Sequence, residues 1–311
     1  MNPFRFGVSV WHAPSRAEWI AKARKIEDLG YTSLMVPDHL NERVAPIPAL
    51  ISAAEATKRM LVGTYVLNND LRHPVVLAHE AAAADVLTGG RLQLGLGAGW
   101  NKAEYDQAGL AFDRGSIRVE RLAEAVVIIR RLLAGEQVTF AGRHYRVSGH
   151  VIAPLPMQKP HPPILIAGNR PRMLTLAAQQ ADIVGLSGMT LRRGGTEMDV
   201  SGWKGSAVDE CIALIRVAAG EERFARLELN ALVQRVVVND DRRGAVEALT
   251  RAWPQLAAAD ILESPYVLVG TVDQIVEDLC ACRARWGISY YVVHEPYMDA
   301  FAPVVTRLAG K

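Results

Sequence analysis

The sequence predicts a single α/β domain spanning residues 1–311, a (β/α)8 barrel of eight parallel strands with intervening helices. Short apolar runs alternate with helical segments along the whole chain, which is typical of parallel sheets with crossover helices. The first four strand–helix units take roughly 30 residues each, neither half of the chain repeats the other, and 311 residues suit one barrel. A doubly wound sheet is the alternative architecture.

The predicted strands are short, apolar and followed by turn or cap residues. They cover residues 4–10, 33–36, 60–67, 91–97, 164–167, 183–186, 227–238 and 288–293. The predicted helices show apolar periodicity, and several have recognisable caps, such as Ser15 with Glu18 and the stop at Gly30. They cover residues 15–29, 48–58, 73–90, 117–133, 173–181, 207–219, 243–253, 271–286 and 300–308.

Two segments depart from this alternation. Residues 138–147 look like a small excursion with a turn at Ala141-Gly142, and residues 191–205 (LRRGGTEMDVSGWKG) show no periodicity and several glycines. We therefore predict a mobile loop after the sixth strand.

Composition excludes several classes of partner. Lys and Arg number 35 against 33 acidic residues, a balance that argues against a nucleic-acid surface. No apolar run reaches the ~18 residues that a membrane span needs. Cys211, Cys280 and Cys282 lack zinc-site spacing, and the N-terminus has no signal-peptide pattern, so we expect a cytoplasmic protein with reduced thiols that acts on a small molecule.

Polar and aromatic residues follow the apolar strands at their C-terminal ends, where barrel enzymes carry their active sites. These strand ends are Trp11-His12, Asp38-His39, Asn68-Asn69, Gly99-Trp100-Asn101, Gly168-Asn169-Arg170, Ser187-Gly188 and His294-Glu295. The opposite ends show mostly ordinary helix-stop glycines. The sequence therefore predicts a site at one mouth of the barrel.

The fourth strand and its continuation, RLQLGLGAGWNKAEY from Arg91 to Tyr105, carry glycines at alternate positions. A strand interior tolerates glycine where a bulge, a bend or a ligand brings backbone close. Our hypothesis is that Gly95, Gly97 and Gly99 clear a floor for a flat ring. A glycine-rich strand end that makes a turn is the alternative.

Asp38-His39 is the pair predicted to carry proton chemistry, because histidine exchanges protons near neutral pH and a carboxylate can orient it or hold a ring N–H. A loop cap with an exposed histidine would look the same. Metal binding is poorly supported because the histidines are scattered and no HExxH helix occurs. The hydrolase motif GxSxG and the Rossmann and P-loop glycine patterns are also missing from the sequence.

ILIAGNRPRM indicates an anion site. A strand ends at Ala167-Gly168, and a helix begins after Asn169, so free backbone N–H groups would face a phosphate. Arg170 and Arg172 add positive charge. A plain helix cap explains the same residues in isolation.

Together these pieces resemble the bacterial luciferase-like oxidoreductase superfamily, and within it the members that depend on coenzyme F420, a deazaflavin. The resemblance rests on FGV near the N-terminus, the strand-end Asp-His, VGTYVLN with RHP, LTGGRLQLGLGAGW and PPILIAG. It covers nearly the whole chain, from Phe4 to about residue 300.

The resemblance implies a TIM barrel with the deazaflavin or flavin ring over the strand ends. It places His39 near the reactive carbon, a bulge with a non-prolyl cis peptide at Tyr65-Val66 behind the ring, and Asn68 at the ring edge. We expect His39, Asp38 and Trp100 to be catalytic. The full set expected at the cofactor is Asp38, Tyr65, Val66, Asn68, Ala98, Gly99, Trp100, Asn101, Ala167, Gly168, Asn169 and Arg170.

Trp100 departs from the family pattern. Sugar-phosphate dehydrogenase relatives carry a catalytic Glu at this place, so the indole suggests an aromatic or less polar substrate.

Coenzyme F420 is the expected cofactor, since a carboxylate-rich tail would suit Arg170, Arg172, Arg192 and Arg193. FMN with a monooxygenase activity is the alternative, and a non-catalytic flavin- or deazaflavin-binding protein is a third possibility. Relatives often form homodimers through helices near strands two and three, and the alanine-rich segments 49–56 and 78–84 could pack in this way.

Overall fold

A computed structural model describes residues 2–41, 44–191 and 198–311. The strands are β1 Arg5–Ser9, β2 Ser33–Val36, β3 Leu61–Thr64, β4 Leu67–Asn68, β5 Leu92–Gly97, β6 Val138–Ala141, β7 Arg146–His150, β8 Ile164–Ala167, β9 Ile183–Leu186, β10 Thr190–Leu191, β11 Met198–Asp199, β12 Glu228–Val233, β13 Arg235–Val238, β14 Val267–Gly270 and β15 Ile288–His294. The helices are α1 Arg16–Asp28, α2 Pro46–Ala56, α3 Pro74–Leu87, α4 Lys102–Gln107, α5 Gly115–Leu133, α6 Pro171–Gln180, α7 Gly205–Ala219, α8 Glu221–Phe224, α9 Arg242–Ala252, α10 Ala258–Glu263, α11 Val272–Trp286 and α12 Met298–Leu308.

Nine strands form one parallel sheet in the order β3-β2-β1-β15-β12-β9-β8-β5-β4, and a further pairing of β3 with β5 closes it. Strands β3 and β4 both pair with β5 and together form one strand position of the barrel wall, which we call a stave. The closed sheet therefore has eight staves. The predicted (β/α)8 barrel is therefore confirmed, and the doubly wound alternative is excluded by this closure.

The stave made of β3 and β4 contains a bulge. Gly63 pairs with Gln93 and Leu67 with Leu96, so four steps on this stave face three on β5, the signature of one extra residue. The hydroxyl of Thr64 spans the interruption: it donates to the Gly95 carbonyl and accepts from the Gly95 N–H, both at 2.8 Å. The backbone of β5 therefore keeps its hydrogen bonds beside the bulge.

The barrel interior holds its own apolar cluster, separate from the layer between strands and helices. Its buried members are Met35, Tyr65, Leu165, Ile183, Tyr290 and Val292. Alternation along the strands sends these side chains inward and their neighbours outward toward the helices. The interior is packed, and a ligand would have to bind at its mouth.

Some predicted boundaries are wrong. The seventh predicted strand, residues 227–238, is interrupted at Gln234. Its first part is β12 in the barrel, and its second part, β13, pairs with β14 outside the barrel. The predicted excursion at 138–147 is confirmed as the antiparallel hairpin β6–β7.

The segment predicted as a mobile loop, 191–205, is structured in its described part. Strands β10 and β11 pair there, and Trp203 is buried with its indole N–H donating to the Ser187 carbonyl. Residues 192–197, which include Arg192 and Arg193, lie outside the described residues. In the part of the chain that the structure describes, no helix has the length and apolar character needed to cross a bilayer.

Candidate active site

The eight parallel staves bring the predicted strand-end residues to one mouth of the barrel. Asp38 and His39 follow β2, Asn68 ends β4, and Trp100 follows β5. Helix α4 begins at Lys102, directly after β5, and carries Glu104 back toward β2. The mouth is therefore assembled from residues far apart in sequence.

His39 is bound to a carboxylate on α4. Its Nδ1 lies 2.7 Å from Glu104 Oε1, and the glutamate is only 6 % exposed. Asn101 Nδ2 donates to the same oxygen at 2.7 Å, and Asn41 Nδ2 does so at 3.4 Å. A carboxylate at Nδ1 fixes the imidazole tautomer with its proton on that nitrogen, so Nε2 is the atom left for proton exchange. Within the described residues Nε2 has no protein partner, and it is not sealed from solvent.

Asp38 binds other groups and does not orient the imidazole of its neighbour His39. Arg72 binds its carboxylate through Nη1 at 2.6 Å and Nη2 at 3.2 Å, and the Asn68 backbone N–H donates to it at 3.0 Å. The carboxylate is nearly inaccessible. Glu104, rather than Asp38, contacts the imidazole, and Asp38 ties the end of β4 to the end of β2.

Trp100 lies beside the histidine. The two ring centroids are 5.7 Å apart and the planes are close to perpendicular, the edge-to-face arrangement that aromatic pairs prefer. The indole is 57 % exposed. It therefore covers one side of His39 and offers the rest of its surface to solvent or ligand.

The hypothesis that Gly95 and Gly97 clear a floor directly for a ring is wrong. A Cβ on Gly95 would be 2.1 Å from the Thr64 carbonyl oxygen, and one on Gly97 would be 2.6 Å from Val66 Cγ2. Both glycines therefore accommodate the bulge of the neighbouring stave. The Tyr65–Val66 peptide bond in that bulge is cis, as the resemblance implies.

The bulge presents Val66 at the mouth. Val66, Ala167 and Leu232 are half-buried and pack on the interior cluster. We call these three side chains the apolar floor. Ala98 and Gly99 are also half-buried, and their carbonyls accept hydrogen bonds from Arg118 at 3.2 and 3.3 Å. An accessible apolar surface with fixed backbone beside it fits a flat heteroaromatic ring.

The predicted phosphate loop is ordered by its own asparagine. Asn169 Nδ2 donates to Ser187 Oγ at 2.8 Å and to the Met189 carbonyl at 2.7 Å, and its Oδ1 accepts from two backbone N–H groups. The Asn169 side chain thus joins the ends of β8 and β9. Groups near the first turn of α6 that could face an anion are the exposed Arg170, whose Nη2 is 3.4 Å from Thr190 Oγ1, and the exposed Arg172.

Sequence reasoning missed Glu104, Arg72, Tyr105 and Arg118. Asn101 followed three residues later by Glu104 resembles a helix N-terminal signature and would have predicted α4. The other three contacts depend on side chains that meet only in the folded chain. Among residues 2–41, 44–191 and 198–311, no group of three or more His, Cys, Asp or Glu side chains is placed to hold a metal ion.

A parallel barrel with a carboxylate-bound histidine and an apolar floor at its strand ends defines a class of small-molecule enzymes that work at this mouth. Residues 2–290 match the luciferase-like monooxygenase family. The chain belongs to this family, and the predicted membership is confirmed.

Curated and solved relatives refine this placement. An F420-dependent glucose-6-phosphate dehydrogenase of Beutenbergia cavernae is 31 % identical over an alignment 308 residues long. The alignment covers 89 % of this chain and 86 % of the relative. The F420-dependent tetrahydromethanopterin reductase of Methanopyrus kandleri superimposes with a TM-score of 0.76 at 18 % identity, covering 98 % of both chains. A riboflavin lyase solved with modified FMN gives a TM-score of 0.77 at 13 % identity, covering 98 % of this chain and 91 % of the lyase. The last two likenesses concern the fold alone.

Proposed function

We propose that this protein is a coenzyme F420-dependent oxidoreductase of the luciferase-like family that acts on a small organic substrate. The observation that carries the proposal is the His39–Glu104 pair, whose Nε2 has no partner among the described residues and which stands at the strand ends of a barrel with an apolar floor. The F420 dependence of the curated dehydrogenase relative supports the choice of cofactor. It agrees with the cofactor expected from the sequence.

The residues present fit a deazaflavin. Val66, Ala167 and Leu232 would support the ring, and the backbone at Ala98 and Gly99 would border it. Arg170 near the start of α6 would meet the phosphate and the acidic tail. When bound, the deazaflavin supplies two-electron hydride chemistry at a ring carbon.

The proton chemistry belongs to His39. Its Nε2 would exchange a proton with the substrate, and the Glu104 carboxylate would stabilise the imidazolium that this exchange creates. A carboxylate that accepts the Nδ1 proton as a hydrogen bond keeps the ring in one tautomer and one orientation. A protein that only stored the cofactor would have no need for such a pair.

Trp100 would select the substrate. Its exposed indole lies against His39, so a bound substrate would meet an apolar aromatic surface there. We propose a planar or apolar substrate, such as a quinone, enone or nitroaromatic, in place of a sugar phosphate.

Turnover of reduced coenzyme F420 with a panel of quinones, enones and nitroaromatics tests the proposal. We expect His39→Ala to lose roughly 100-fold to 10,000-fold in turnover number, the contribution of a general acid–base group, while it keeps its affinity for the cofactor. His150→Ala, which removes an exposed histidine on β7, is the control. Full activity of His39→Ala would refute the proton-transfer role, and cofactor binding with no turnover of any acceptor would favour the storage protein.

FMN is the second candidate, favoured by the match to the luciferase-like monooxygenase family. It predicts oxygen-dependent consumption of reduced FMN by the protein. Oxygen-independent turnover with coenzyme F420 distinguishes the two.

We also propose a cytoplasmic homodimer. Cys211, Cys280 and Cys282 are free thiols, which suits a reducing compartment. The surface of α3 exposes Val76 and Leu87 at 50 % and 57 %, an apolar face that a second copy could cover. Light scattering coupled to gel filtration would give twice the 33.9 kDa chain mass, and a monomer mass would refute the dimer.

A further inference from the structure

The side-chain amide of Asn68 has a fixed orientation. Its Oδ1 accepts from the Asp70 backbone N–H at 3.1 Å and lies 2.9 Å from the Tyr105 hydroxyl. The reversed amide would set an NH2 group against the Asp70 N–H, two donors facing each other, so the oxygen must occupy this position. The NH2 group is left over. Nδ2 has no acceptor among the described residues and is not sealed from solvent.

Tyr105 is itself held in place. It is 1 % exposed, and its hydroxyl also lies 3.0 Å from Asp70 Oδ2, so its hydrogen is shared between the two oxygens. Arg121 neutralises Asp70 from the other side at 2.7 Å. Burial raises the pKa of the Tyr105 phenol and the neighbouring Asp70 charge raises it further, so the hydroxyl keeps its hydrogen at neutral pH.

This pair lies directly beneath the loop that borders the ring site. Gly99 has a φ of +74°, and a Cβ there would be 2.1 Å from the Tyr105 hydroxyl oxygen and 2.5 Å from Asn68 Oδ1. The loop can therefore approach Asn68 and Tyr105 only as glycine. The free NH2 of Asn68 thus belongs to the same small region as the carbonyls of Ala98 and Gly99.

We propose that Tyr105 is a positioning residue that acts through Asn68. Together with the Asp70 backbone N–H, its hydroxyl keeps the amide oxygen turned into the protein and the NH2 group toward the ligand. Asn68 therefore only donates, and its partner is a carbonyl-type acceptor on the edge of the ring. The proposal rests on the proposed cofactor site. Asn68 is thereby the donor in its contact with the ring, and Tyr105, which does not touch the ring itself, keeps it in that orientation.

Titration of coenzyme F420 into four variants tests this assignment. Tyr105→Phe should weaken binding by about two- to tenfold, the effect of losing one hydrogen bond's worth of preorganisation. Tyr145→Phe is the matched control, because its hydroxyl accepts from Asn69 at 3.2 Å near the same Asp70–Arg121 pair, and it should bind as the parent does. Asn68→Asp keeps an acceptor for Asp70 and Tyr105 but replaces the outward NH2 by oxygen, so it should bind more weakly than Asn68→Ala.

A double-mutant cycle separates positioning from a general structural effect. If Tyr105 acts through Asn68, Tyr105→Phe should cause no further loss of affinity in the Asn68→Ala background. Additive losses, or an Asn68→Asp variant that binds as tightly as the parent, would overturn the proposal.

Failure of coenzyme F420 to bind the parent protein would refute the proposed cofactor. The positioning role of Tyr105 can still be tested in that case, by a measurement that needs no ligand. The Asn68 side-chain amide signals in a 15N spectrum are identified by their loss in Asn68→Ala. They should shift in Tyr105→Phe and stay in place in Tyr145→Phe. Unchanged signals in Tyr105→Phe would refute the positioning role independently of any cofactor.

Discussion

Replacing Glu104 by glutamine removes the charge opposite His39 while keeping size and one acceptor oxygen. The imidazole–carboxylate contact is 2.7 Å and almost fully buried, so water cannot substitute for the lost charge. A hydrogen bond to a charged group contributes about 1.5–3 kcal/mol, against about 0.5–1.5 kcal/mol for a neutral one. The difference corresponds to about tenfold in rate.

The assay is steady-state turnover with the acceptor that the parent protein reduces fastest, combined with the dissociation constant for coenzyme F420. We expect the turnover number of Glu104→Gln to fall by about tenfold and the cofactor affinity to stay within about twofold. Asp106→Asn is the control, since Asp106 is on the same helix, is exposed and pairs with Lys102 at 2.6 Å. Parent-like turnover in Glu104→Gln, or an equal loss in Asp106→Asn, would refute the reasoning.

Three further predictions concern stability and are measured by urea or thermal unfolding. Arg72→Met should lower the free energy of unfolding by about 3–5 kcal/mol, because it leaves the buried Asp38 carboxylate without its ion-pair partner. Adding Asp38→Asn should recover part of this loss. Equal stability of Arg72→Met and the parent would contradict this prediction. Gly99→Ala should lower the free energy of unfolding by about 1–3 kcal/mol more than Gly109→Ala does. Both glycines have a positive φ, but only a Cβ at position 99 would collide with a neighbour, the Tyr105 hydroxyl. Partial burial opposes ionisation of Glu124, but three backbone N–H donors outweigh it and lower the pKa of this carboxyl. The ionised carboxylate therefore stabilises the fold at pH values above the unfolded pKa of 4.5, and this stabilisation is lost as the pH falls through the lower folded pKa. The difference in Tm between the parent and Glu124→Gln should accordingly narrow below pH 4.5.

The barrel and the meeting of the strand-end residues at one mouth were predictable because they depend on local patterns. Apolar runs separated by helical periodicity define the staves, and parallel staves necessarily gather their C-terminal ends. His39, Asn68 and Trp100 were found in this way. Residues 227–238 were read as one strand because both halves are apolar, and only the pairing of β13 with β14 distinguishes them.

The partners within the site were not predictable. Asp38 is the nearest carboxylate to His39 in sequence, but successive residues after a strand point in different directions. Asp38 forms an ion pair with Arg72. The carboxylate that contacts His39 belongs to Glu104, 65 residues further along the chain. Likewise, the glycines of β5 suggested room for a ligand, whereas the volume beside Gly95 and Gly97 is filled by the bulge of the next stave.

Competitive titration of the purified protein with coenzyme F420 and FMN tests the central claim most directly. Both cofactors absorb light and fluoresce, so their binding can be followed without knowledge of the substrate. We predict that coenzyme F420 binds with one molecule per chain and more tightly than FMN. Tighter binding of FMN would contradict the proposed cofactor and the function built on it.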